Sequence, residues 1–293
     1  EQFGWRITFM VIGVPGILLA ILVKFTLREP RFNKVMTIDS ALVTNGKAES
    51  IQPALKTVVE TLWQKRTFRH VLMAFCLATF FGAGIGIWIP AFFMRSHGME
   101  AGELGVWLAF TWGASGLLFT FLGGFLATRF APRKEGLQAK GISIIIVFCA
   151  VFYILCYLST NKYLALIFIS IVAGGLLPLT VAPAYASIQS LVEERMRAVA
   201  FAFILLLSNL VGLGLGPIAV GMISDYLAPS LGQESLRYAL LLFSPGYLWC
   251  AFHYWKAART IEEEIKAVES KTESLKINTT FSELDTLDCK KSA

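Results

Sequence analysis

Charge is scarce in this sequence. Asp, Glu, Lys and Arg make up 16% of its 293 residues, where soluble domains carry about 25%. Hydrophobic residues reach 56% and the mean hydropathy is +0.63, a balance that excludes an ordinary water-soluble enzyme or binding module. Acids and histidines are missing from the middle of every long apolar run, and the one charge inside a run is Lys24. It lies about one turn from the end of its helix, where a lysine stem can lie in hydrocarbon while its ammonium reaches water. His70, His97 and His253 fall at or near run ends. Cysteine is too sparse and scattered for a disulfide framework: Cys76, Cys149, Cys156 and Cys250 sit in apolar runs as small core residues, and Cys289 sits in a polar tail. No pair has metal-ligand spacing, so neither a metal centre nor a cofactor is implied.

What is present is a series of unbroken apolar stretches of about 18 to 29 residues, each enough to cross a hydrocarbon core of about 30 Å. Seven spans are predicted: Ile7–Leu27, Val71–Met94, Leu104–Leu126, Gly141–Leu158, Tyr163–Leu191, Ala198–Ser224 and Tyr238–Trp255. The fold class is therefore an all-α polytopic membrane protein, in a cell or inner membrane. The first run is too long for a signal peptide and lacks a basic leader. Lysines and arginines alternate between loops. Eight lie in 28–69, four in 127–140, two in 192–197 and seven after Trp255. That bias predicts an outside N-terminus and a cytoplasmic C-terminus, and it explains the net charge of +6 without nucleic acid.

An odd number of spans starting outside, with no initiator methionine, leads us to expect the C-terminal part of a larger protein. Residues 1–27 read as the last helix of an N-terminal half. Residues 28–69 read as a cytoplasmic linker, polar in "TNGKAES" and ending in an interfacial helix whose apolar positions include Leu55, Val58, Val59 and Leu62. Residues 70–255 form a six-helix unit, and 256–293 a cytoplasmic tail, helical at first and then disordered.

The six helices divide into two triplets. The first span of one triplet reads "FFGAGIGIWIPAFF", with Gly82, Gly84, Gly86 and Pro90, and the first span of the other reads "IVAGGLLPLTVAPAY", with Gly174, Gly175, Pro178 and Pro183. Proline removes a backbone donor and clashes with the preceding turn, which is tolerable at membrane depth only beside protein or a water-lined cavity. Interrupted helices at matching places in two halves point to inverted repeats around a midplane site. Close helix packing by small residues is the competing role for each glycine and proline.

These features resemble the major facilitator superfamily, with twelve helices in two halves joined by a cytoplasmic linker. "GWRITFMVIGVPGILLAILVKFTLREP" is similar to its sixth helix, and "RMRAVAFAFILLLSNLVGLGLGPIAVGMISDYL" to its eleventh. "FFMRSHGM" and "SLRYALLLFSPGYL" most resemble the spinster-like subgroup. "GGFLATRFAPRK" departs from the family's cytoplasmic loop motif: Gly124 and Arg129 match and Arg133 keeps the loop basic, but Thr128 replaces the expected acid. The resemblance implies a secondary active transporter that moves a small or amphipathic solute, lipid-like molecules included, by alternating access. Six helices alone are expected to be inactive, because the missing N-terminal half supplies the other wall and any proton-coupling acid. The resemblance places the solute cavity on the family's seventh, eighth, tenth and eleventh helices. Candidate solute contacts are Phe81 and Trp88; Thr111, Trp112 and Ser115; Thr180 and Tyr185; and Ser208 and Asn209. Asn209 leads, since an amide in hydrocarbon must face protein or water; a purely structural interhelical hydrogen bond is its alternative.

A seven-helix receptor is the runner-up, yet the longest loop comes first and no external cysteine pair is present. A membrane-embedded enzyme would need His, Asp or Cys clustered at one membrane face, and the sequence offers no such cluster.

Overall fold

The computed structural model describes residues 4–27, 55–132, 134–193 and 196–291, and every regular element among them is helical. The chain divides into two units, Glu1–Gln52 and Pro53–Ala293. The described part of the first unit is α1, Gly4–Thr26, with Pro15 inside it and Lys24 in its last turn. Its 23 residues rise about 35 Å, enough to cross a bilayer. Residues 28–54 of the expected linker lie outside the described residues.

The second unit begins with α2, Leu55–Gln64, followed by α3 (Arg66–His97), α4 (Ala101–Phe130), α5 (Glu135–Leu158) and α6 (Lys162–Leu191). Then come α7 (197–231), α8 (Ser235–Phe243) and α9 (Gly246–Lys291). The sequence marks several of these ends. Gly98 takes the left-handed conformation (φ 63°) that closes α3, as C-terminal glycines do. The Asn161 side chain accepts from the N–H groups of Tyr163 and Leu164 and so caps α6. Gly232, at φ 55°, ends α7, and Pro245, which cannot donate, separates α8 from α9. Ser224 and Ser235 hydroxyls meet at 3.2 Å across the Gly232 turn, so α7 and α8 run antiparallel. Taking α8 with the start of α9 as one crossing, α1 and α3–α7 bring the number of crossings among the described residues to seven.

Lipid tails are as apolar as leucine, so hydrophobic burial does not drive helix association here; close packing does. In two places that closeness requires glycine. A Cβ on Gly216 of α7 would overlap the Phe80 carbonyl of α3, and one on Gly174 of α6 would overlap the Thr111 carbonyl of α4. Gly212 against Thr79 and Gly123 against Leu179 repeat the two contacts one turn or more along. The first helix of each triplet therefore lies on the second helix of the other. The third helices, α5 and α9, pack on each other, tied where Ser143 Oγ donates to the Ala251 carbonyl at 2.7 Å. This crossed arrangement is the inverted-repeat relation read from the sequence.

Two cores result. The larger joins α3, α5, α6, α8 and α9 through Phe92, Phe93, Tyr153, Tyr157, Leu240 and Tyr247. The smaller lies at the other end, where α2 lays Val58 and Leu62 against Phe68, Ile188, Leu191 and Ile261. Lys65 Nζ donates to the Leu191 carbonyl at 2.8 Å, and Arg197 Nε to the Gln189 and Val192 carbonyls at 3.1 and 3.2 Å. Two cations thus satisfy the last carbonyls of α6, which ends without a glycine.

Two expectations change. Helix α3 stays α-helical through Gly82, Gly86 and Pro90; the donor lost at Pro90 leaves one carbonyl, that of Gly86, without its helical partner and does not interrupt the helix. And α9 continues to Lys291, where the polar composition predicts disorder. From Tyr247 to Lys291 the sequence has no glycine or proline and is rich in Glu, Lys and Ala, so nothing forces the helix to stop.

Candidate functional site

Among the described residues, three helices are interrupted by wide π turns: Ala109–Ala114 in α4, Ile171–Leu176 in α6 and Asn209–Leu213 in α7. Such turns occur frequently at functional sites. Two of them have a local cause. In α6 and α7 a proline follows within four residues, Pro178 or Pro217, and the wider turn makes room for a ring that would strike the carbonyl four residues back. In α4 no proline is present. There Ser115 Oγ bonds the Thr111 carbonyl, and that same carbonyl faces Gly174 of the α6 π turn. The pair of helices interrupted at equivalent places is thus α4 and α7, the second members of the triplets. Gly174 and Gly175 are buried in the α6 turn, Pro178 follows half-buried and Pro183 is buried.

The candidate solute contacts separate into three groups. Asn209 opens the α7 π turn with its side chain exposed, and among the described residues its carboxamide has no hydrogen-bond partner. Trp112 lies exposed in the α4 π turn. Tyr185 of α6 is partly exposed between Phe75 and Phe201, at ring distances of 5.6 and 5.8 Å. These three present surface.

A second group spends its polar atoms inside its own helix. Thr111 Oγ1 donates to the Trp107 carbonyl at 2.8 Å, Thr180 Oγ1 to that of Leu177 at 2.7 Å, and the buried Ser208 Oγ to that of Ile204 at 2.7 Å. The third group packs between helices. Phe81 is 9% exposed and meets Phe80, Phe243 and Tyr247, with Gly246 directly beneath its ring. The expectation that it faces solute is corrected: α8 and α9 cover it. Trp88 is half-buried; its Nε1 donates to the Pro217 carbonyl at 2.9 Å and its ring lies on Gly221, so it pins α3 to α7 beside the π turn.

In the loop motif, Gly124 lies against Ala182 of α6, and Arg129 is exposed. Thr128 turns its hydroxyl back to the Gly124 and Phe125 carbonyls at 3.0 Å each, so it does not replace an acid facing the next helix. Arg133 lies outside the described residues.

A feature absent from the sequence expectations is a cleft of about 630 Å³ where α3 ends beside the α7–α8 turn, lined by Arg95, Ser224, Asp225 and Gln233 among others. None of the candidate solute contacts borders it. Its polar residues come from three segments, the end of α3, α7 and the turn after it. Arg95 and Asp225 could have been noticed as charges flanking two apolar runs, but not as neighbours.

Comparison with known proteins gives the same architecture. The family model described as Major Facilitator Superfamily matches residues 1–217. A Mycolicibacterium smegmatis protein described as an MFS-type efflux pump is 29% identical over 273 residues, covering 90% of this chain and 59% of its own. Two crystal structures of a bacterial homologue of the human lysosomal transporter Spinster, inward-facing, share the fold. The occupied form has TM-score 0.62 and 22% identity, and covers 89% of this chain and 59% of its own. The unoccupied form has TM-score 0.62 and 23% identity, and covers 89% and 60%. The chain spans about 59% of the length of the relatives it matches. The crossed triplets, the seven apolar crossings and the family match lead to one assignment: the chain belongs to the major facilitator superfamily.

Proposed function

We propose that this chain provides one wall of a secondary active transporter that moves a small or amphipathic solute, lipid-like molecules included, by alternating access. The observation that carries this reading is Asn209: an unpartnered carboxamide exposed in a wide turn, midway along an apolar helix. An amide has no reason to be there unless water, solute or a facing helix meets it. Trp112 and Tyr185 supply flat apolar surface with polar edges, the kind of lining that binds an amphipathic body. The wide turns in α4, α6 and α7 are the points at which these helices bend, with Trp88 and Gly216 keeping α3 and α7 moving as a pair. The second wall comes from the family's other six helices, and so does any coupling acid. The loop charges support a cytoplasmic C-terminus. The efflux-pump relative favours outward movement of solute.

The test is flux of lysolipids, sphingoid bases, sugars and organic anions into or out of proteoliposomes made from the complete transporter. At least one class should move faster than in empty liposomes. Asn209→Leu should lower that flux at least about tenfold, the equivalent of about 1.4 kcal/mol for one lost polar contact, at unchanged membrane yield. Equal flux in wild type and N209L removes Asn209 from the solute path; no flux of any class removes the transport reading.

A further inference from the structure

We propose that the groove where the start of α3 meets the first quarter of α9 binds the phosphate of an anionic phospholipid. Four basic side chains converge there. His70 Nδ1 and His253 Nδ1 stand 3.0 Å apart, with ring centroids at 5.2 Å. A hydrogen bond between those two atoms ties α3 to α9. The charged groups facing His70 are Arg69 from its own helix and Lys256 from α9, both cations. Arg69 is exposed and Lys256 half-buried, and neither has an ion-pair partner among the described residues.

The α9 carboxylate that packs on the start of α3 does not neutralise them. Glu264 lies two turns further along and accepts from the Thr67 backbone N–H at 3.1 Å. Between it and the cations, the Thr67 and Thr260 hydroxyls meet at 2.6 Å and close the groove on that side. On the other side the groove opens onto aromatic surface. Trp249, Phe252 and Trp255 are 54%, 50% and 40% exposed, and Lys256 Nζ lies 5.5 Å over the Phe252 ring.

This places two unpaired cations and two imidazoles at the end of an apolar crossing, beside the aromatic residues that favour the lipid headgroup level. A phosphate fits that set. It accepts from the Arg69 guanidinium fork, the Lys256 ammonium and an imidazole N–H, and the acyl chains that come with it lie along Leu248, Trp249 and Phe252. A zwitterionic lipid would bring its own cation against Arg69 and Lys256, so an anionic headgroup is selected.

The experiment uses the complete transporter in maltoside detergent, melted with added phosphatidylglycerol, phosphatidylcholine of the same chains, or inorganic phosphate. Lipid retention is counted by native mass spectrometry. Phosphatidylglycerol should raise the midpoint by several degrees over phosphatidylcholine and be retained. R69Q/K256Q should weaken that response at least tenfold in lipid concentration, while K140Q, an exposed basic site elsewhere, should leave it unchanged. The proposal is overturned if the two lipids act alike on wild type, if the double variant keeps the preference, or if inorganic phosphate alone gives the same shift. Should the double variant fold poorly, R69Q and K256Q singly must each reduce lipid retention, and unchanged retention in both also overturns it.

Discussion

Replacing Gly174 with alanine tests the helix interlock most directly. A Cβ at this position would fall on the Thr111 carbonyl and beside Ser115 Oγ. Neither neighbour can step aside: the carbonyl is backbone, and the hydroxyl is bonded to it. Restoring an ordinary contact of about 3.5 Å would force α4 and α6 more than an ångström apart along their whole crossing. Overpacking of this kind costs about 1–3 kcal/mol, and the gain in helix propensity on leaving glycine returns only about 1 kcal/mol. With a melting shift of about 2–4 °C per kcal/mol for a domain of this size, G174A should melt several degrees below wild type in detergent. Gly86→Ala is the matched control. It too lies inside an apolar helix, but a Cβ there meets no atom within 4 Å, so the propensity gain of about 0.5–1 kcal/mol stands alone. G86A should melt at or slightly above wild type. If G174A melts with G86A, the two helices do not approach as closely as described, and the crossed packing is refuted.

Trp88→Phe removes the donor to the Pro217 carbonyl together with the part of the indole that lies on Gly221; it should cost about 1 kcal/mol for the hydrogen bond and more for the lost packing, read from the same melts. Lys65→Met keeps an apolar stem but removes the ammonium from the Leu191 carbonyl. It should loosen the end of α6 by about 0.5–1 kcal/mol, seen as faster hydrogen exchange in 55–64 and 186–192 with the middle of α5 unchanged.

Apolar run length told where the helices are, because a membrane crossing needs a minimum length whatever its neighbours. Their ends were readable too, at Gly98, Asn161 and Gly232, since each acts through its own local geometry. Facing was not readable. Phe81 and Trp88 look alike in sequence, two aromatics in one glycine-rich run, yet Phe81 is closed in by α8 and α9 while Trp88 reaches α7. A helix that is apolar all round has no polar stripe to fix its phase. The π turns divided in the same way. Those before Pro178 and Pro217 had a visible local cause. The one in α4 rests on Gly174, sixty residues and more from Ala109–Ala114, and a single sequence does not disclose such a pairing. Pro90 predicts a break, yet a proline alone leaves α3 α-helical.

The exchange of helices between triplets also bears on how the protein is made. Gly84 and Gly216 fit against each other but are 132 positions apart in the chain. At 5–20 residues per second the ribosome needs on the order of ten seconds to deliver the second after the first. During that interval α3 stands in the bilayer with its notch open, and the same holds for α4 until α6 arrives. Neither triplet can finish assembling before the other is inserted, so the six helices mature together rather than as two successive halves.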